Sequence, residues 1–120
     1  RNFTLGQEGE QFVLRLRTTK TGNNGSRPEV RFGKVAAGEQ VHLLLTYREG
    51  ELVCYQDGVP VFQRKGHVRG LLNNWTKQRL LIGDEWDGGR TWSGKVFGVA
   101  LLDRFLEAKE VTDRFATISE

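Results

Sequence analysis

Three acidic side chains, Asp84, Glu85 and Asp87, fall close together in a glycine-rich run from Gly83 to Gly94 that also carries Trp86 and Trp92. A Ca2+ ion takes roughly six to eight oxygen ligands in flexible geometry, and a carboxylate-rich loop can supply several of them. The competing reading of these acids is a solvated surface balanced by Arg90. The tryptophans offer a second chemistry. An indole face stacks on the apolar C–H face of a sugar ring, whose hydroxyls then need hydrogen-bonding partners. Trp86, bracketed by acids and glycines, and Trp75, next to Asn73-Asn74, are expected at the surface, with Arg90 as a polar contact. For each of the two, anchoring its own loop is the competing role. Cys54 with His42 or His67 would be a third chemistry, a thiolate and its base. Cys54 lies in an apolar run, however, and reads as a small core residue.

These residues must be positioned by strands, because period-two patterning dominates the chain. Phe12, Leu14 and Leu16 alternate with Val13, Arg15 and Arg17, and Val41, Leu43, Leu45 and Tyr47 alternate with His42, Leu44 and Thr46. Such alternation predicts strands with one face toward a core. Leu52–Tyr55 and Val59–Phe62 flank Asp57-Gly58, a strong hairpin signal because a primed turn needs positive φ at both central residues. Glu49-Gly50 makes a similar turn, so three strands form an antiparallel meander. Arg79–Ile82 and Gly94–Leu102 are predicted as further strands, with Gly98 marking a bulge or a close backbone approach. Only the stretch from Leu106 toward Phe115 has helical character, and it must dock on the sheet through Val111 and Phe115. Thr21–Ser26 and Leu71–Trp75 read as loops. The expected fold class is all-β: an antiparallel two-sheet sandwich with one short C-terminal helix.

Composition narrows the function classes. The 120 residues suit one domain over 1–120 with a modest core. The net charge of +3 is small and spread along the chain, which argues against a nucleic-acid footprint. No apolar run is long enough to cross a bilayer, and the first residues show no signal-peptide pattern. One cysteine excludes an internal disulfide and a multi-cysteine metal site. Sequons stand at Asn2-Phe3-Thr4, Asn24-Gly25-Ser26 and Asn74-Trp75-Thr76, patterns short enough to occur by chance.

An ordered set of motifs resembles laminin-G-like domains of the concanavalin A-like superfamily. Val41-His42-Leu43-Leu44-Leu45-Thr46-Tyr47 is similar to the His-Val…Thr-Tyr strand of that family, and Leu52-Val53-Cys54-Tyr55-Gln56-Asp57-Gly58 to its Leu…Tyr-x-Asp-Gly hairpin. Leu81-Ile82-Gly83, the stretch Trp92–Leu101, and Phe105–Val111 resemble its later motifs in order. The family's usual Trp and Asp are replaced by Gln40 and Gly98. The resemblance covers about the last two thirds of the chain. It implies a jelly-roll sandwich, and the start reads as either lacking the family's first strands or as a compact variant. Missing strands would leave an open sheet edge, a route to self-association.

What the resemblance implies for function is recognition rather than catalysis. Pentraxins, a related sandwich family, bind calcium through a Gly-Gln-Glu-Gln-Asp loop, which Gly83-Asp84-Glu85-Trp86-Asp87 resembles. Their second, Asp-Asn pair would correspond to Asn23-Asn24. The implied calcium set is therefore Asp84, Glu85, Asp87, Asn23 and Asn24. Glycoside hydrolases on the same sandwich need two or more carboxylates alternating on one strand. Glu85 and Asp87 supply two, but Gly88-Gly89-Arg90-Thr91 follow without a second glutamate. The expectation is a non-catalytic module that binds carbohydrate, with possible help from calcium, on an extracellular, periplasmic or cell-surface protein. The alternative is a protein-interaction or structural module of such a protein.

Overall fold

The computed structural model describes residues 1–83 and 94–118. Six strands and one helix follow in order: β1 (Phe3–Glu8), β2 (Gln11–Leu16), β3 (Val30–Phe32), β4 (Leu43–Arg48), β5 (Glu51–Gln56), β6 (Val59–Lys65) and α1 (Ala108–Ile118). They form two three-stranded antiparallel sheets, β1-β2-β3 and β4-β5-β6. The alternation read from the sequence sets their faces. Leu14 of β2 and Val30 and Phe32 of β3 meet Leu52 and Cys54 of β5, with Val68 closing the cluster and Phe12, Leu16, Leu43, Leu45 and Tyr47 packed around it. The result is a β-sandwich with its core between two pleated faces.

The middle strand β5 is buried on both sides. Its other face, Val53 and Tyr55, packs with Leu106 and Val111, beside Leu44 and Phe105, so the C-terminal segment adds a third layer. Burying Val111 and Leu106 stabilises this docking by about 1.5–3 kcal/mol each, which a helix of 11 residues requires. Thr46 fixes the approach: its buried hydroxyl oxygen accepts a hydrogen bond from the Leu106 N–H at 2.7 Å.

The hairpin at Asp57-Gly58 has the expected primed geometry, with φ of 51° and 80°. Phe115 of α1 lies over Gly58, where a Cβ would come within 2.9 Å of its ring. Cys54 is fully buried, as its apolar run predicts, and burial pushes its thiol up to about 12.

Three expectations are corrected. Val41 and His42 precede β4 rather than belong to it, and β6 runs on to Lys65. Arg79–Ile82 and Gly94–Leu102 form no strand among the described residues, because a strand pattern becomes a strand only when a neighbour takes its backbone hydrogen bonds. Gly98 marks no close approach, since a Cβ there would meet nothing within 4 Å. The chain also contains β1 and β3, which alternation alone leaves unmarked: β1 is interrupted by Gly6 and β3 has three residues.

Candidate functional site

Of the residues singled out from the sequence, Asn23, Asn24 and Trp75 are described, whereas Asp84, Glu85, Trp86, Asp87, Arg90 and Trp92 lie outside the described residues. The structure brings the loops of Asn24 and Trp75 to one end of the sandwich, although 51 positions separate the two residues (75 − 24). Asn2 and the residues after β2 tie those loops together.

The loop leaving β2 is organised by threonines. The Thr18 N–H donates to Thr21 Oγ1 at 2.8 Å, and the Thr21 hydroxyl donates to the Leu16 carbonyl at 2.8 Å. Thr18 Oγ1 accepts from the Lys20 and Thr21 N–H groups and donates to the Arg69 carbonyl. Thr18 is completely buried, so this hydroxyl is a hub and not a ligand contact. Gly25 lies directly on the Leu16–Arg17 backbone with φ of 68°, and a side chain there would collide with main chain. That close approach presents Asn23 and Asn24 outward, both exposed.

The second loop, residues 70–77, is fastened to the first by side chains that imitate backbone pairing. Asn2 donates its amide N–H to the Thr76 carbonyl at 2.7 Å and accepts from the Thr76 N–H at 3.0 Å. The Asn74 amide donates to the Thr18 carbonyl at 3.1 Å, and the Trp75 indole N–H donates to the Arg17 carbonyl at 2.6 Å. Phe3 stacks on Trp75, with ring centroids 5.9 Å apart and planes at 29°. Asn24 Oδ1 accepts from the Arg1 nitrogen at 3.1 Å.

Trp75 thus has its N–H satisfied and one ring face supported, yet 38% of the residue stays exposed. A supported, partly open indole loses little conformational entropy when a ring packs on it. Two polar atoms in the same junction, Arg17 Nε and Asn74 Oδ1, are buried without a partner among the described residues. They leave one donor and one acceptor unspent. Phe3, Asn2, Arg17 and Asn74 were not singled out from the sequence. Asn2 and Asn74 stand out in the sequence only as sequon asparagines.

The other chemistries find less support. Among the described residues no group of three or more His, Cys, Asp or Glu could hold a metal. Cys54 is no nucleophile, because a thiol pushed up to about 12 carries almost no thiolate at neutral pH. His42 instead packs against Phe115, with centroids 5.6 Å apart, and His67 against Phe62. Several charged side chains pair with one another at the surface: Arg15 and Arg31 share Glu29, and Arg31 also reaches Glu8. The Arg15 hydrogen bond holds the Glu29 carboxyl below its ordinary range. No described helix is long and apolar enough to cross a membrane.

Two antiparallel sheets closed over one core, a helix on the outer face of the second, and loops gathered at one end define a two-sheet β-sandwich. The family model of the concanavalin A-like lectin/glucanases superfamily, Laminin_G_3, matches residues 1–112, and the chain belongs to that family. No curated protein matches the chain. Among solved structures it is similar to an S-layer domain-containing protein from Clostridium thermocellum (residues 221–444), with a TM-score of 0.51 and 15% identity. That alignment covers 88% of this chain and 51% of the other, so the chain spans about half the length of that structure.

Proposed function

We propose that the chain is a non-catalytic recognition module that binds carbohydrate at the end of the sandwich where the 17–27 and 70–77 loops meet. The observation that carries this reading is Trp75, stacked on Phe3, fixed through its N–H to Arg17, and still partly open to solvent. A sugar ring would pack on the open part of the indole, and Asn23 and Asn24, exposed on the adjoining loop, would meet its hydroxyls. Trp86 and Arg90, outside the described residues, are proposed as further ligand contacts.

Calcium assistance is proposed as part of this reading. The proposed ligand set is the amide oxygens of Asn23 and Asn24 with the carboxylates of Asp84, Glu85 and Asp87, and one amide in place of a carboxylate would weaken affinity. Titration calorimetry tests the metal alone: no heat and no melting shift at millimolar Ca2+ would remove calcium from the account.

The setting proposed is extracellular, periplasmic or cell-surface. Membership in a lectin-type family and the fold likeness to an S-layer domain-containing protein support it. The second reading, a protein-interaction module, has the same support from the fold. A glycan array run with and without Ca2+ separates the two: no sugar retained in either condition would favour protein partners. A hydrolase is the reading to be set aside by assay, since turnover of β-glucans abolished by Glu85→Gln would replace recognition with catalysis.

A further inference from the structure

The two loops that meet at the Trp75 end come from stretches without a carboxylate: residues 11–28 and 58–83 contain neither Asp nor Glu. Cations stand on them at or beside the contacts that hold the loops. Arg17 accepts the Trp75 indole N–H on its carbonyl, and Arg69 accepts the Thr18 hydroxyl on its own. Gly70 lies against the main chain of Lys20, where a Cβ would come within 2.8 Å of its nitrogen. The Arg27 guanidinium lies over Gly22, whose Cβ would meet its Nε at 3.8 Å. Lys77 follows Thr76, the residue whose main chain pairs with the Asn2 side chain.

None of these five cations is in an ion pair among the described residues, and Lys20, Arg27, Arg69 and Lys77 are exposed. Elsewhere the arginines are matched: Arg15, Arg31, Arg48, Arg104 and Arg114 each hold a carboxylate. The carboxylates near the Trp75 end do not restore the balance. Glu29 is taken by Arg15 and Arg31, and Glu51 by Arg48. Glu49 remains, on the turn whose Gly50 carbonyl accepts the Gly66 N–H. The balance is among the described residues, which exclude Asp84, Glu85 and Asp87. Unpaired cations of one sign gathered at one end attract anions, and the planar guanidinium suits a carboxylate, sulfate or phosphate.

From this excess we infer that the sugar packed on Trp75 belongs to an acidic glycan, whose carboxylate, sulfate or phosphate groups are met by Lys20, Arg27, Arg69 and Lys77. The inference rests on the carbohydrate reading above and names the class of its ligand. A glycan chain spans several sugars, so the four cations need not meet the ring that Trp75 holds. A single-stranded nucleic acid is also an anion with stacking rings, but it is held by successive aromatic platforms. The loops 17–27 and 70–77 carry one aromatic side chain, Trp75.

A glycan array that pairs each acidic glycan with its neutral backbone (uronate with methyl ester, sulfated with desulfated) tests it, followed by calorimetry of the retained pairs. Several weak exposed ion pairs acting together should make the acidic member bind roughly 10-fold more tightly, and added salt should erase the difference. The variant Lys20→Gln/Arg27→Gln/Lys77→Gln removes three exposed charges whose side chains make no hydrogen bond among the described residues. It should bind the acidic member only as well as the neutral one, with binding of the neutral member unchanged. Equal affinity of wild type for both members would overturn the inference and leave the carbohydrate reading standing, whereas retention of neither would remove both. Undiminished acidic binding by the triple variant would also overturn it. So would a single-stranded oligonucleotide bound as tightly as any glycan, which would assign the cations to nucleic acid.

Discussion

Asp57 and His42 hold each other by two hydrogen bonds: Asp57 Oδ1 accepts from the His42 N–H at 2.9 Å, and the Asp57 N–H donates to the His42 carbonyl at 2.8 Å. The turn residue that announces the β5–β6 hairpin therefore also fixes the entry into β4. Asp57 works as a turn and a clamp, with both bonds spent on backbone. Asp57→Asn keeps an acceptor and tolerates positive φ, so it should be nearly neutral. Asp57→Ala loses the side-chain bond and strains the backbone, and should cost about 1–3 kcal/mol in urea unfolding. Equal costs for the two variants would contradict the clamp.

The outer layer depends on Thr46. Thr46→Val removes the acceptor of the buried Leu106 N–H while keeping the volume, and should cost about 1–3 kcal/mol. Thr46→Ser retains the oxygen and should cost less. The comparison is made by urea unfolding, and a valine variant as stable as wild type would mean that the Leu106 N–H finds another partner.

Acid should loosen the same layer at its charged edge. Arg104, and after it Arg114, hold the Glu110 carboxyl at about 2, against an ordinary 4.5. A carboxylate depressed in this way stabilises the folded state above its unfolded pKa, and that contribution is lost as pH falls from 4.5 through about 2. Wild type should therefore melt above Glu110→Gln at pH 7, and the gap should close by pH 2. A gap that persists at pH 2 would show that the ion pair is not its source.

Cys54 provides a reporter of global opening. Its thiol is fully buried and should react with a disulfide reagent only as fast as the sandwich unfolds. Rapid labelling under native conditions would contradict the packing of β5 against both layers.

How far the sequence carried this fold depends on how local the cause is. Asp57-Gly58 and Glu49-Gly50 define their turns within a few residues, so the β4-β5-β6 meander was legible. The docking of Val111 and Phe115 followed from their spacing on one helical face. Phe3–Glu8 was not legible as a strand, because Gly6 breaks its pattern and its pairing with β2 is what makes it one. Arg79–Ile82 and Gly94–Leu102 failed in the opposite direction, with a strand pattern but no strand partner among the described residues. The candidate site was half legible. Trp75 and Asn24 stand out by residue type and setting, but their convergence is tertiary and depends on Asn2, Phe3 and Thr18, whose roles no local pattern reveals.

Carbohydrate recognition by the Trp75 end of the sandwich is tested most directly by a glycan array followed by calorimetry of any retained sugar with wild type and Trp75→Ala. The account predicts that wild type retains a sugar and that Trp75→Ala binds it at least 10-fold more weakly, with near-native protection of β4–β6 in hydrogen exchange. Wild type retaining no sugar, or Trp75→Ala binding it as tightly as wild type, would contradict it.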